Sequence, residues 1–185
     1  MVYVHLANGF EECEALAPLD IIRRAGLEIT TVSITGDKTV YSAHGVGVVA
    51  DTLLEEVDLS GADMLVLPGG LPGSTHLDEC EPLRQAILKH HAEGKPLAAI
   101  CAAPTLLARH RLIGVGNYAV CYPGMEDLLT AAGVTPSMED AVVLDETLIT
   151  GKAPGTVFDF ALSLLEVLTD ADTAARIQDD LHYGV

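Results

Sequence analysis

The sequence predicts a three-layer α/β domain on a mostly parallel sheet, and three observations carry that prediction. Short apolar runs of strand character alternate with segments of helical period along the chain. Two of the runs, Met64–Leu67 and Leu97–Ile100, are apolar throughout, which is the pattern of strands covered on both faces. The 185 residues, 49% of them hydrophobic, suffice for one core, so residues 1–185 read as one domain without repeats, linkers or low-complexity tracts.

Taken in order, Val2 to Ala7 reads as a buried strand. Glu14 to Ala25 has helical spacing, with Leu16, Leu19, Ile22 and Arg23 three and four apart; Pro18 should kink this helix or mark its first turn. Gly26 ends it, and Glu28 to Ile34 returns as a strand. Thr39 to Ser42 and Val46 to Val49 flank His44-Gly45 and predict a small hairpin-like excursion. After Met64–Leu67 comes the turn-rich segment 68–73, then an amphipathic helix from Pro82 to Glu93 closed by Gly94. Leu97–Ile100 leads to a helix over Pro104–Arg109, with proline suited to its first turn. Tyr118 to Cys121 predicts a strand, Met125 to Ala132 a helix, and Ala141–Leu144 with Leu148–Thr150 a hairpin around 145–147. A long apolar helix over Thr156–Leu168 and a polar one over Ala171–Leu181 complete the chain.

Charge excludes several classes of partner. Twenty-seven acidic residues against ten basic ones give a net charge of −17, and nothing resembles the basic surface that nucleic acid or an anionic membrane requires. No apolar stretch approaches the ~20 residues needed to span a bilayer. Met1 to His5 lacks the basic segment of a signal peptide and reads as strand, so the expectation is a cytoplasmic protein with reduced thiols. Cys13, Cys80, Cys101 and Cys121 show neither C-x-x-C pairing nor metal-finger spacing. His76, His90 and His91 read as surface residues, and no metal site is expected.

Ligands of open α/β sheets collect at the carboxyl ends of the strands. Three such ends carry chemistry. Leu97–Ile100 stops at Cys101, followed by Ala102-Ala103-Pro104, a tight strand-to-helix turn that would aim backbone N–H groups and a helix start at the sulfur and favour the thiolate. An inert buried thiol is the alternative. Glu11, Glu12 and Glu14 leave the first strand; helix-start electrostatics could explain two of them, and a third, which composition does not single out, could turn inward and hold a proton beside the thiol. Gly69-Gly70 could be a plain turn, or could bring backbone N–H groups close enough to form an oxyanion hole. Cys121 is a conceivable resolving thiol for Cys101.

Five segments in order resemble the ThiJ/PfpI superfamily, and within it the DJ-one branch. They are Gly9-Phe10-Glu11-Glu12-Cys13-Glu14, residues 20–26 (DIIRRAG), Val66-Leu67-Pro68-Gly69-Gly70, residues 98–104 (AAICAAP) and residues 150–156 (TGKAPGT). The resemblance implies a flavodoxin-like, class I glutamine amidotransferase-like sandwich, a homodimer, and no cofactor. It puts the nucleophile at Cys101, the proton-sharing acid at Glu14, and the anion pocket on the backbone of Gly69, Gly70 and Ala102. Three departures stand out. Tyr122, before Pro123, occupies the place where the branch often has histidine, and tyrosine is a poor general base at neutral pH. His44 falls where the branch often has an arginine reaching from the partner subunit. Ala102 replaces the histidine of the protease-like members, and residues 158–160 (FDF) supply no amidotransferase histidine–glutamate pair.

The implied activity is that of a glyoxalase or deglycase acting on small 2-oxoaldehydes or their adducts. Its turnover should be slow because a general base is missing. The competing expectation is a sensor or stress-protective chaperone in which Cys101 is oxidised to sulfenic or sulfinic acid.

Overall fold

The computed structural model describes residues 1–184. The strands are β1 (Val2–Leu6), β2 (Ile29–Ser33), β3 (Thr39–Tyr41), β4 (Gly47–Val49), β5 (Thr52–Leu53), β6 (Met64–Leu67), β7 (Leu97–Ile100), β8 (Tyr118–Ala119), β9 (Thr135–Pro136), β10 (Val142–Asp145) and β11 (Leu148–Gly151). The helices are α1 (Glu12–Arg24), α2 (Gly73–Glu79), α3 (Glu81–Ala92), α4 (Pro104–Arg109), α5 (Glu126–Ala131), α6 (Val157–Leu168) and α7 (Ala171–Asp180).

Seven strands form the main sheet in the order β10-β11-β7-β6-β1-β2-β5. All neighbours are parallel except the β10–β11 hairpin at one edge. Alternation along β6 and β7 divides the core. Leu65, Leu67, Leu97 and Ala99 face one side, with Leu83 and Ile87 of α3, Leu106 and Leu107 of α4 and Leu129 of α5. Met64, Val66, Ala98 and Ile100 face the other, with Ala15 and Ile22 of α1 and Phe160 and Leu164 of α6. On the far side of α1 and α6, Ala174 and Ile177 of α7 pack against Ile21 and Leu165. This is the three-layer arrangement that the strand–helix alternation predicts.

The chain runs from β1 outward to β2 and then returns to place β6 on the other flank of β1. Strand order therefore reverses between β1 and β6, and a crevice opens at their carboxyl ends. The loops entering that crevice are 7–11 after β1 and 68–72 after β6, with Cys101 beside them at the end of β7.

Several expectations need correction. Helix α1 begins at Glu12, not Glu14, and Pro18 lies inside it, buried, without ending it. Proline there removes only one main-chain donor, and burial of Ile21 and Ile22 holds the following turns. The segment after the glycine turn folds as α2, which the sequence reading passed over, and β5 was likewise absent from it. The strand expected over Tyr118–Cys121 ends at Ala119 and pairs with β9 in a separate two-stranded sheet. His90 is not a surface residue: it is 3% exposed, and its Nε2 sits 2.9 Å from the Pro96 carbonyl oxygen.

Candidate active site

Cys101 takes φ +65°, a left-handed conformation that costs a non-glycine residue of order 1–3 kcal/mol. Its backbone is pinned on both sides. The Cys101 N–H donates to the Gly151 carbonyl of β11 at 2.9 Å, and its carbonyl accepts from the Tyr122 N–H at 2.7 Å. The neighbouring segments thus hold the turn that swings the side chain out of the sheet and into the crevice.

The three glutamates separate cleanly. Glu11 caps α1, its carboxylate accepting from the Glu14 N–H at 2.8 Å. Glu12 turns outward, 3.0 Å from His44 Nδ1. Glu14 turns inward and is fully buried; its Oε2 accepts from the Gly69 N–H at 2.8 Å, while Oε1 has no hydrogen-bond partner. Cys101 stands beside this carboxyl, both residues packing against the Gly69 main chain. The structure thus brings Glu14, Cys101 and the glycine turn together.

Glycine is required for this close approach. A Cβ on Gly69 would stand 2.6 Å from both Cys101 Cβ and Glu14 Oε2. One on Gly70, at φ +87°, would stand 2.5 Å from the Glu11 N and 2.6 Å from the Gly9 carbonyl oxygen. The β1 and β6 loops are joined main chain to main chain, Glu11 N–H to Gly69 carbonyl at 3.0 Å and Gly73 N–H to Gly9 carbonyl at 3.1 Å.

Opposing influences act on the thiol. Burial pushes the Cys101 thiol up to about 12, and the adjacent Glu14 carboxylate adds to that; the N–H groups of Gly70 and Ala102 pull weakly the other way. Burial likewise raises Glu14 to about 7, opposed by the neighbouring Cys101 thiol, helped by the negative charge of Glu11 and opposed again by the Gly69 N–H. Burial and the neighbouring carboxylate thus oppose ionisation of the thiol, against the backbone dipoles that the strand-to-helix turn aims at it. Dehydration of a group only 7% exposed outweighs the few backbone dipoles aimed at it. One correction follows for the anion pocket. The Gly69 N–H is committed to Glu14, which leaves those of Gly70 and Ala102 on the sulfur side.

The remaining candidates lie farther out. Tyr122 joins the site through its backbone N–H, and its side chain is half exposed. His44 pairs with Glu12 of its own chain, and that carboxylate raises the imidazole above its ordinary value. His44, Glu12 and Glu11 form the one group of possible cation ligands among the described residues, but Glu11 is already engaged as the helix cap. Cys121 does not serve as a partner for Cys101. It packs with the cluster on the opposite face of the sheet, and its thiol is directed at the Tyr122 carbonyl. The cap role of Glu11 was the one part of the site missed in the sequence; its signal was a carboxylate three residues ahead of an inward acid.

The chain is similar to known proteins in both sequence and fold. The DJ-1/PfpI family pattern matches residues 1–167. The chain belongs to the DJ-1/PfpI family. Protein DJ-1 homolog B of Arabidopsis thaliana is 35% identical over 97% of this chain, which spans only 41% of that relative's length. A Caenorhabditis elegans protein named glutathione-independent glyoxalase DJR-1.2 is 33% identical over 85% of this chain and 82% of its own. The solved structure of oxidized Toxoplasma gondii DJ-1 superposes with a TM-score of 0.93 at 34% identity, covering 100% of this chain and 98% of that one.

Proposed function

We propose that this DJ-1/PfpI family member is a cysteine-dependent glyoxalase acting on 2-oxoaldehydes such as methylglyoxal, or on their early adducts with protein amines. Cys101 is the nucleophile and Glu14 the proton carrier. The observation that carries the reading is a buried carboxyl, raised to about 7 by burial, packed beside the thiol it must deprotonate. A base with that value is half ionised at neutral pH, where general-base catalysis is most effective. The name of the C. elegans relative points the same way.

The chemistry proceeds as follows. Cys101 sulfur attacks the aldehyde carbon while Glu14 takes the thiol proton, and the carbonyl electrons move onto oxygen, facing the N–H groups of Gly70 and Ala102. Glu14 returns the proton to that oxygen, giving a hemithioacetal. It then removes the hydrogen of the former aldehyde carbon as a proton and delivers it to the adjacent ketone carbon, while the hemithioacetal hydroxyl proton passes to the ketone oxygen, so that the first carbon becomes a carbonyl and the second a carbinol. The product is a thioester of a 2-hydroxy acid, which water hydrolyses to regenerate the thiol. One carbon is oxidised by two electrons and its neighbour reduced by two, so methylglyoxal plus water gives lactate without an external oxidant.

Every proton passes through one carboxyl, because Tyr122 stands where an imidazole would assist. An absent general base costs ~10²–10⁴ in rate, and slow turnover is expected. A homodimer in the cytoplasm, with His44 near the partner's site, completes the reading. Oxidative sensing, in which Cys101 is oxidised to sulfenic or sulfinic acid, ranks second; it needs only the thiol and the Glu14 carboxyl beside it. Lactate formation from methylglyoxal by the purified protein tests the proposal, and turnover no faster than that of Cys101→Ser would refute it. Intact-mass analysis after mild peroxide, comparing Cys101 with the other cysteines, tests the sensor reading.

A further inference from the structure

Helix α2 leads away from Gly70 and α4 from Ala102, the two residues whose N–H groups lie on the sulfur side of the site. Each helix is tied to its donor residue at its first turn. The Ser74 N–H donates to the Gly70 carbonyl at 2.9 Å. Thr105 gives its N–H, at 3.2 Å, and its hydroxyl, at 2.7 Å, to the Ala102 carbonyl. At seven and six residues the helices are rods of about 10 Å, so a shift of either axis carries its donor with it.

Close packing does not fix the distance between the two rods. Helix α2 packs on α3 and β1, and α4 on α5. Where α2 and α4 face one another a cavity of about 100 Å³ opens, walled by Ser74 and Thr75 on one side and by Thr105 and Leu106 on the other. The buried Ser74 hydroxyl finds no hydrogen-bond partner across it. The link lies at the far ends of the helices. Asp78, in the last turn of α2 and 8% exposed, accepts from the Arg109 guanidinium on one carboxylate oxygen and from His110 Nε2, at 2.5 Å, on the other. Both oxygens are thus spent on the end of α4. From behind, Arg84 of α3 donates to the Asp78 carbonyl at 3.1 Å and braces the main chain. A carboxylate in the last turn of a helix is opposed by that helix's dipole, and burying it costs more. Helix α2 alone gives no reason for an acid there, whereas the groups it holds on α4 do.

We propose that Asp78 is a positioning residue: by joining the far ends of α2 and α4, it sets the separation of the Gly70 and Ala102 N–H groups that receive the oxyanion. The inference rests on the reading of Cys101 and Glu14 as a glyoxalase pair, and adds the group that holds the acceptor site at its working width. Asp78 acts through the two helices, with no contact of its own on the reacting atoms. Oxyanion donors are effective only when held in place before the charge develops, and a charge-assisted link across a cavity supplies that rigidity.

The test compares two reactions of Cys101 in wild type, Asp78→Asn, Arg109→Gln and Arg109→Lys. Lactate formation from methylglyoxal needs the oxyanion donors; alkylation by iodoacetamide needs the sulfur but develops no oxyanion. In Asp78→Asn and Arg109→Gln, kcat should fall by roughly ten- to a hundredfold, short of the ~10²–10³ lost with an oxyanion donor itself. Alkylation at pH 7 should change by less than about twofold. Arg109→Lys, which returns a cation to Asp78, should recover most of the lost turnover. General loosening of the site slows both reactions together, so a parallel fall in both, or a fall in neither, would overturn the assignment. Arg109 is more than half exposed, so its two variants decide the matter if Asp78→Asn does not fold. Backbone amide NMR separates this outcome from failure of the glyoxalase reading, because it needs no turnover. The Gly70 and Ala102 amide peaks should move in Arg109→Gln while that of Gly69, held by Glu14, stays. Unmoved Gly70 and Ala102 peaks contradict the link. Moved peaks in a protein that forms no lactate uphold it and overturn only the glyoxalase reading.

Discussion

A glutamate of ordinary value is almost fully ionised at pH 7, whereas Glu14, raised to about 7 by burial, is half protonated there. The same dehydration that makes Glu14 a useful base makes Cys101 a reluctant acid, and only contact between the two resolves the conflict. Gly69 sets that contact by bringing bare main chain against both side chains. Gly69→Ala should abolish turnover and lower stability by about 1–3 kcal/mol, the usual cost of forcing an extra methyl into a packed site; lactate production and a denaturant titration check this. A variant with wild-type rate would show that the close approach is dispensable. At this scale the sequence was half legible. The run ending at Cys101 marked the sulfur from the residues alone. Which glutamate turns inward depends on Glu11 capping α1, a three-dimensional fact, and came from the family resemblance.

Strand β1 carries a second buried titratable group. His5 is fully buried, its Nδ1 3.3 Å from the Val66 carbonyl oxygen and its Nε2 unpartnered; burial lowers it from 6.5 to about 4. The unfolded chain therefore binds more protons at His5 between about pH 4 and 6.5, and this residue's share of stability falls as pH drops through that window. Glu14 acts oppositely: raised from 4.5 to about 7, it destabilises the fold as pH rises through that range. Between pH 5 and 8 each amounts to about 2 kcal/mol, so they nearly offset one another in the native protein. Glu14→Gln should become more stable from pH 5 to 8 and His5→Leu less stable, by about 2 kcal/mol each, in urea titrations. Identical pH slopes for both variants and wild type would contradict the buried placement of these groups. Elements with strong periodicity, such as α3, α6 and the β10–β11 hairpin, were readable to within a residue or two. Helix α2 escaped because it follows a proline- and glycine-rich turn, and β5 because it is two residues long and exists only by pairing with β2.

The whole molecule concentrates its reactive groups where strand order reverses and spreads acidic charge elsewhere. Alternating strands and helices made the layered fold legible, but the strand order that creates the crevice at β1 and β6 is a long-range property that periodicity does not encode. With a net charge of −17, self-repulsion opposes compactness, so raising salt from about 10 to 300 mM should raise Tm by a few degrees through screening. A lower Tm at high salt would show that specific ion pairs outweigh the net charge. The most direct measurement of the central claim, that Glu14 draws the proton from a thiol which otherwise keeps it, is the pH dependence of Cys101 alkylation in wild type and Glu14→Gln. The wild-type rate should rise through a step near pH 7, and that step should vanish in the variant. A rate already at its plateau below pH 6, or a step that survives the substitution, would mean that Cys101 ionises without Glu14.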